Sequence, residues 1–184
     1  TVLDSGDRRK IGNSTPRYNF GLNLDGAYKG FDLKLFFQGT MKRDYMPGGG
    51  TTLFWGAVGY WQTNFFEPHL DYFRPENTTS GLGPNVNGYY PRPIENGRNR
   101  NAQTRYMQNA AYARLKNVTL GYTLPASLTQ NYNVSNLRVF VSAENLFTIT
   151  SLKLYDPETI GVGDWDGSTY PLSKGVSFGL SVTL

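Results

Sequence analysis

Chemistry, if this chain performs any, has few residues to draw on. Asp156 and Glu158 stand two apart in "YDPE", and paired carboxylates are what glycoside hydrolysis requires. Pro157 between them marks a rigid loop corner, however, and the reaction needs the two groups at a controlled separation across a cleft. "GDWDGS" at 163–168 opens with the D-x-D-G of a calcium loop, but the bidentate glutamate of such a loop does not follow, so the stretch reads as a turn. "SGLGPNVNG" is glycine-rich without the lysine or the strand-to-helix context of a phosphate loop. His69 is the single histidine and reads as a surface loop residue, because a catalytic imidazole needs a nucleophile and an orienting acid beside it. With no cysteine in the chain, a thiolate metal site and a disulfide framework are both excluded. No catalytic residue, metal ligand or cofactor site is expected, and the chain is not expected to be an enzyme.

Binding chemistry is better supplied. Aromatic residues make up 15% of the chain, and the segment 44–110 is dense in them. Trp55, Tyr60, Trp61, Tyr72, Tyr89 and Tyr90 are the candidate contacts there, interspersed with Arg74, Arg92 and Arg98. Aromatic rings and guanidinium groups suit amphipathic ligands and protein lids. Each of these rings could instead pack on its neighbours and hold the segment's own fold. Lys and Arg are scattered, and net charge is +4. The two basic concentrations, "DRRK" and "RNRNAQTR", read as solvated loop, so no nucleic-acid partner is expected.

The elements that position these residues are strands. In "YNFGLNLDGAY", Tyr18, Phe20, Leu22, Leu24 and Tyr28 share one face, with Asn19, Asn23 and Asp25 opposite. "FDLKLFFQG" puts Phe31, Leu33, Leu35 and Phe37 on one side and Asp32, Lys34 and Gln38 on the other. Lys29-Gly30 between the two segments is a tight hairpin turn. If Tyr28 pairs with Phe31, partners add to 59, so Leu24 faces Leu35 and Asp25 faces Lys34, which lands both apolar sets on one side of the sheet. The same alternation recurs at Val118, Leu120, Tyr122 and Leu124, at Leu137, Val139, Val141 and Ala143, and in the closing "GVSFGLSVTL". Ala113 and Leu115 have the other parity, which either a bulge near Lys116 or departure from the apolar zone would explain. Strands are therefore expected near 17–28, 31–43, 111–124, 137–148 and 172–184.

Connections alternate in length. Lys29-Gly30 and 125–136 are short; 44–110 and 149–171 are long. Short turns at one end of the strands and long loops at the other are the layout of an outer-membrane barrel, with the long loops extracellular and the C-terminus periplasmic. Tyr18 to Tyr28 spans about 33 Å of strand, which at a tilt of about 40° becomes roughly 25 Å of height, the thickness of an apolar band edged by aromatic girdles. Asn19, Asn23, Asp25, Lys34, Arg138 and Glu144 would then face the lumen. A soluble β-sandwich, a carbohydrate-binding module for example, would also use the alternation and stays as the rival class. The mean hydropathy of −0.46 does not separate them, since a barrel strand needs only about 10 alternating residues. "TVLDSGDRRKIG" lacks the charged start and apolar run of a signal peptide, so the chain is expected to begin downstream of its natural start.

The blocks "GNSTPRYNFGLNLDGAYKGFDLKLFFQG", "NAAYARLKNVTLGYTLP", "LRVFVSAENLFTIT", "YDPE" and "YPLSKGVSFGLSVTL", in this order, resemble the C-terminal part of a SusC/RagA-type TonB-linked outer-membrane transporter. The resemblance implies an all-β fold: about five strands of an antiparallel transmembrane barrel of about 22 around a plug. It implies uptake of glycans or peptides across a Gram-negative, Bacteroidota-type outer membrane. The implied partners are the remaining barrel and plug, membrane lipid, a SusD-like surface lipoprotein, and the TonB complex acting through an N-terminal part.

Overall fold

A computed structural model describes residues 9–48, 52–56, 65–94, 100–161 and 169–184. Two compact units emerge. One is a sheet built from 15–43, 110–151 and 172–184; the other gathers the long connections 44–109 and 152–171 with the stretch up to Ser14.

The sheet has seven-residue economy nowhere; its strands are long. β1 (Arg17–Tyr28), β2 (Phe31–Lys42), β5 (Tyr112–Thr123), β6 (Asn136–Thr150) and β7 (Gly175–Thr183) are antiparallel and lie in the order β1-β2-β5-β6-β7. Leu24 pairs with Leu35, Asp25 with Lys34 and Tyr28 with Phe31, as the alternation requires. Lys29 and Gly30 both have positive φ, 48° and 86°, the twist that lets a two-residue turn join right-twisted strands. The Gly30 carbonyl accepts the Thr123 N–H at 2.8 Å, which ties this turn to β5. Pro125 ends β5, a short helix (Ala126–Thr129) and a 3₁₀ turn (Gln130–Tyr132) follow, and left-handed Asn133 redirects the chain towards β6.

The expected bulge falls at Lys116: Phe36 pairs with Asn117 but Phe37 with Leu115. A compensating irregularity lies one strand over, where Asn117 pairs with Glu144 and Leu115 with Phe147. Asn145 there adopts φ 52°, a conformation asparagine tolerates better than most residues. The two bulges in register restore the apolar parity beyond them, so Leu115 and Phe147 rejoin the face of Leu35 and Val118.

That apolar face is uncovered. Leu24 pairs with Leu35, Leu33 with Leu120, Leu120 with Val141 and Val139 with Leu180. Leu24, Leu33, Leu120, Val139 and Leu180 are all exposed, and Phe178 is 85% accessible. A sandwich would bury this face against a second sheet; here it is open. The sheet is not closed into a barrel within this chain, and β1 and β7 lie at its margins. No helix among the described residues is long and apolar enough to cross a membrane.

The other unit has its own small elements: a two-stranded sheet of β3 (Asp44–Tyr45) and β4 (Gln108–Asn109), a helical turn (Thr52–Trp55), and 3₁₀ turns at Glu67–Leu70 and Thr104–Tyr106. Single bridges link Tyr72 to Tyr90 and Arg74 to Asn85.

Candidate functional site

The polar face of the sheet is built by the residues between the apolar ones. Its centre is an ion pair that skips a strand. Arg138 on β6 donates to both carboxylate oxygens of Asp32 on β2, Nε at 2.8 Å and Nη2 at 2.6 Å. β5 runs between them, and the residue there is Gly121, paired with Asp32 on one side and with Phe140 on the other. A Cβ at Gly121 would collide with the Arg138 guanidinium and the Asp32 carboxylate. The planar fork needs that empty space to reach its carboxylate bidentately. Arg138 also lies 4.8 Å from the Phe140 ring centroid, and Phe140 in turn covers the backbone of Gly179. Around this centre the Thr119 hydroxyl is shared with Ser142 at 3.1 Å, and Asn117 Nδ2 donates to Ser142 Oγ at 3.3 Å. Farther along, Arg114 Nε donates to Thr148 Oγ1 at 2.6 Å, and Thr40 Oγ1 to Asn19 Oδ1 at 2.8 Å.

By register, Asn19, Asn23, Asp25, Lys34, Arg138 and Glu144 all lie on this polar face. Asp32, which the alternation already put on this side with Lys34 and Gln38, and Gly121 belong with them, although nothing local showed that Asp32 would pair with Arg138 across Gly121. Their signal is non-local: an acid and an arginine two strands apart with a glycine between, visible only once the strand order is known.

The aromatic segment packs inward. Phe54 and Trp55 are each 1% exposed and Tyr90 is 6%. Their rings form one cluster with Tyr89 and Tyr106, at centroid separations of 4.8 Å for Phe54–Trp55, 5.3 Å for Phe54–Tyr90 and 5.0 Å for Trp55–Tyr106. Trp55 Nε1 donates to the Gly48 carbonyl at 2.8 Å, the partner a buried indole requires. Burial pushes the Tyr90 hydroxyl up to about 12, and adjacent Tyr89 adds to the shift. Burial raises Tyr89 and Tyr106 as well.

His69 sits in this cluster rather than on the surface, a correction to the sequence expectation. It is 3% exposed and 5.2 Å from the Tyr90 ring. The Phe66 N–H donates to Nδ1 at 3.0 Å, so the ring proton is on Nε2. That N–H meets the carbonyls of Leu53 and Phe54 at 3.1 and 3.0 Å. Burial pulls its pKa below the ordinary histidine value, against the two carbonyls that favour charge. Gly56, at φ 53°, lets the chain turn away beside the imidazole, where a Cβ would stand 2.6 Å from Nδ1.

Of the candidate contact residues, Trp55 and Tyr90 are thus interior, and Tyr72 and Tyr89 are half-buried. Tyr60 and Trp61 lie outside the described residues, as do the D-x-D-G run at 163–168, Arg98, and Asp7 and Arg8 of "DRRK". Arg74 and Arg105 of the segment hold backbone. Arg74 donates to the carbonyls of Gly83 and Leu70 at 2.6 and 2.7 Å and stacks on Tyr72. Arg105 donates to Gly88 and Tyr89. In "YDPE", Asp156 Oδ1 accepts the Glu158 N–H at 3.0 Å and its carbonyl accepts Thr159. Asp156 therefore organises a turn. Among the described residues no group of three His, Cys, Asp or Glu is placed to hold a metal ion.

The chain matches no protein-family model. Among curated proteins it is similar to TonB-dependent receptor P3 of Formosa agariphila, 32% identical over 158 residues, or 85% of this chain and 14% of that protein. It is also similar to TonB-dependent receptor P26 of the same organism, 27% identical over 205 residues, covering 99% of this chain and 18% of that protein. Among solved structures it is similar to the RagAB peptide importer in its closed-closed state (TM-score 0.69, 26% identity, 99% of this chain and 19% of that one). The open-open state gives a TM-score of 0.70 at 26% identity, again over 19% of that chain. This chain therefore spans less than a fifth of the length of the proteins it matches.

Proposed function

We propose that this chain, which belongs with the TonB-dependent receptors, forms a section of the wall of an outer-membrane nutrient importer. The observation that carries the reading is the two-faced sheet. Its exposed apolar lattice, from Leu24 through Leu33, Leu120 and Val139 to Leu180, suits hydrocarbon. Its opposite face carries bonded Asn, Thr, Ser, Asp and Arg side chains, which suits a lumen or a plug. Asn19, Asn23, Asp25, Lys34, Arg138 and Glu144 would face that lumen. The margins β1 and β7 would pair with further strands, because hydrocarbon leaves no backbone group unpaired.

β2 ends, β5 begins, β6 ends and β7 begins at one end of the antiparallel sheet. The long connections leave from that end, which we assign to the cell exterior. The short turns at Lys29-Gly30 and 125–136, and the C-terminus after β7, would be periplasmic. Cargo is a peptide or a glycan; likeness to a peptide importer favours the former. A SusD-like lipoprotein would meet the extracellular loops, and TonB would act through parts of the protein outside this chain. No step of catalysis is assigned.

Nitroxide labels in the full-length protein, reconstituted in vesicles, test the orientation. Labels at Leu24, Val139 and Leu180 should collide with oxygen dissolved in lipid. Labels at Asn23 and Glu144 should collide with a water-soluble nickel chelate. Reversal of the two sets would overturn the assignment of faces. Unchanged peptide and glycan uptake in a deletion strain would remove the transport role.

A further inference from the structure

The apolar face is not an even surface. β6 contributes small residues, Val139, Val141 and Ala143, between larger ones on β5 and β7. The result is a shallow, open depression of about 270 Å³ centred on Val139 and Val141. Phe31 and Tyr122, with ring centroids 4.6 Å apart, and Leu120 wall one side. Phe178 walls the other, and Val139 and Val141 form the floor.

Phe31, which lines this depression, pairs with Tyr28 and adjoins the Lys29-Gly30 turn. Tyr28 is an apolar-face residue, 71% exposed, and the Lys29 ammonium lies 5.2 Å from its ring centroid. That contact draws the lysine towards the apolar side of the turn. Among the described residues Lys29 has no carboxylate partner. Asp25, Asp32 and Glu144 lie on the opposite face by register. Gly30 abuts Tyr122, since a Cβ there would stand 3.1 Å from the ring; the lysine and the depression are therefore built on one packed corner.

From this juxtaposition we infer that the depression holds one acyl chain of an anionic phospholipid whose phosphate is paired with Lys29. The methylenes of an acyl chain suit an apolar depression floored by the methyl groups of Val139 and Val141. A lysine at the apolar boundary supplies the cation that attracts an anionic headgroup, and Tyr28 supplies the amphipathic ring that belongs at that depth. The inference rests on the reading that this face meets lipid. It adds that one lipid is held at a defined place rather than exchanged with the bulk.

Native mass spectrometry of the full-length transporter, titrated with phosphatidylglycerol or phosphatidylcholine, tests it. The wild type should retain one phosphatidylglycerol in preference to phosphatidylcholine. Lys29→Gln should weaken retention about fivefold, the effect of one basic residue near an anionic surface. Val141→Phe, which fills the floor, should abolish it, whereas Leu24→Phe, on the same face outside the depression, should change nothing. Inorganic phosphate in excess should not displace the lipid. Equal retention by Val141→Phe and wild type, no preference between the two lipids, or displacement by phosphate would each overturn the inference. A nitroxide at Leu24 separates the two readings. If it lies in lipid while Val141→Phe binds like wild type, the lipid site fails alone; if it lies in water, the wall assignment fails first.

Discussion

Burial of His69 makes one residue of the aromatic unit sensitive to acid. Nδ1 must accept the Phe66 N–H, and a proton there would remove that acceptor and place a charge among Phe54, Trp55 and Tyr90. Its folded pKa lies below the ordinary value, so between the two pKa values the unfolded state binds more protons than the folded one. Stability then rises with pH through that window. The stabilisation is complete above about pH 6.5, the unfolded value, and declines as pH falls towards the folded one. Protection of the amides of 53–56, 66, 67 and 69, taken relative to intrinsic exchange at each pH, should be high at pH 7.5 and fall at pH 5.5. Equal protection at both would mean that the imidazole is not buried neutral. Sequence could not place this residue inside, because nothing periodic links His69 to Leu53 and Gly56; the contact is made by an irregular loop folding on itself.

Gly121 is a second residue whose role depends on what passes over it. Alanine there should displace the Arg138–Asp32 fork and cost about 1–3 kcal/mol, the range for overpacking. The pair is itself partly exposed (25% and 24%), so its intrinsic contribution is discounted for solvent screening. Most of the loss should come from the clash. Thermal unfolding of the detergent-solubilised transporter would measure it. In an Arg138→Ala background the same Gly121→Ala change should be nearly neutral; an equal cost in both backgrounds would detach the glycine from the ion pair.

At the level of elements, alternation in sequence was a sufficient guide to pairing within the β1–β2 hairpin, since the turn fixes the sum of partner numbers and the apolar faces choose between neighbouring registers. The phase slip at Leu115 was equally legible and became the bulge at Lys116. Its companion at Asn145 was not. After Ala143 the sequence runs Glu-Asn-Leu-Phe, and either parity could be continued from it; only pairing with β5 decides. Two aligned bulges imply mutual dependence. Deleting Lys116 should straighten β5 and keep Leu115 and Ala113 on the apolar face, but leave both Asn145 and Leu146 unmatched between Glu144 and Phe147. The proposed barrel should then assemble poorly, read as a weakened heat-modifiable band in a semi-native gel. Deleting Asn145 together with Lys116 should recover part of it. Full assembly of the single deletion would show that the β6 irregularity does not depend on its companion in β5.

For the whole molecule, the binding role proposed for the loop segment has to be reconciled with the inward packing of Phe54, Trp55 and Tyr90. Trp55, Phe54 and Tyr90 organise the unit, and the residues left outward are different: Leu82 is 55% exposed, Val86 47% and Leu70 43%. Leu82 and Val86 lie in "SGLGPNVNG", a stretch whose backbone is braced by Arg74 on Gly83 and by Asn85 on Arg74. Apolar side chains on a braced surface loop are the features of a protein contact. Structural and contact roles then separate by experiment in the full transporter. Trp55→Ala should cost about 3–5 kcal/mol of local stability, seen as faster hydrogen exchange across 53–56, 69–74 and 88–90, with uptake lost as a consequence. Leu82→Asp with Val86→Asp should leave that exchange unchanged and still weaken association of the proposed surface lipoprotein. If the aspartates have no effect on association while Trp55→Ala disturbs association without altering exchange, the rings would be the contact after all, and the inward packing of this unit would not persist in the assembled importer.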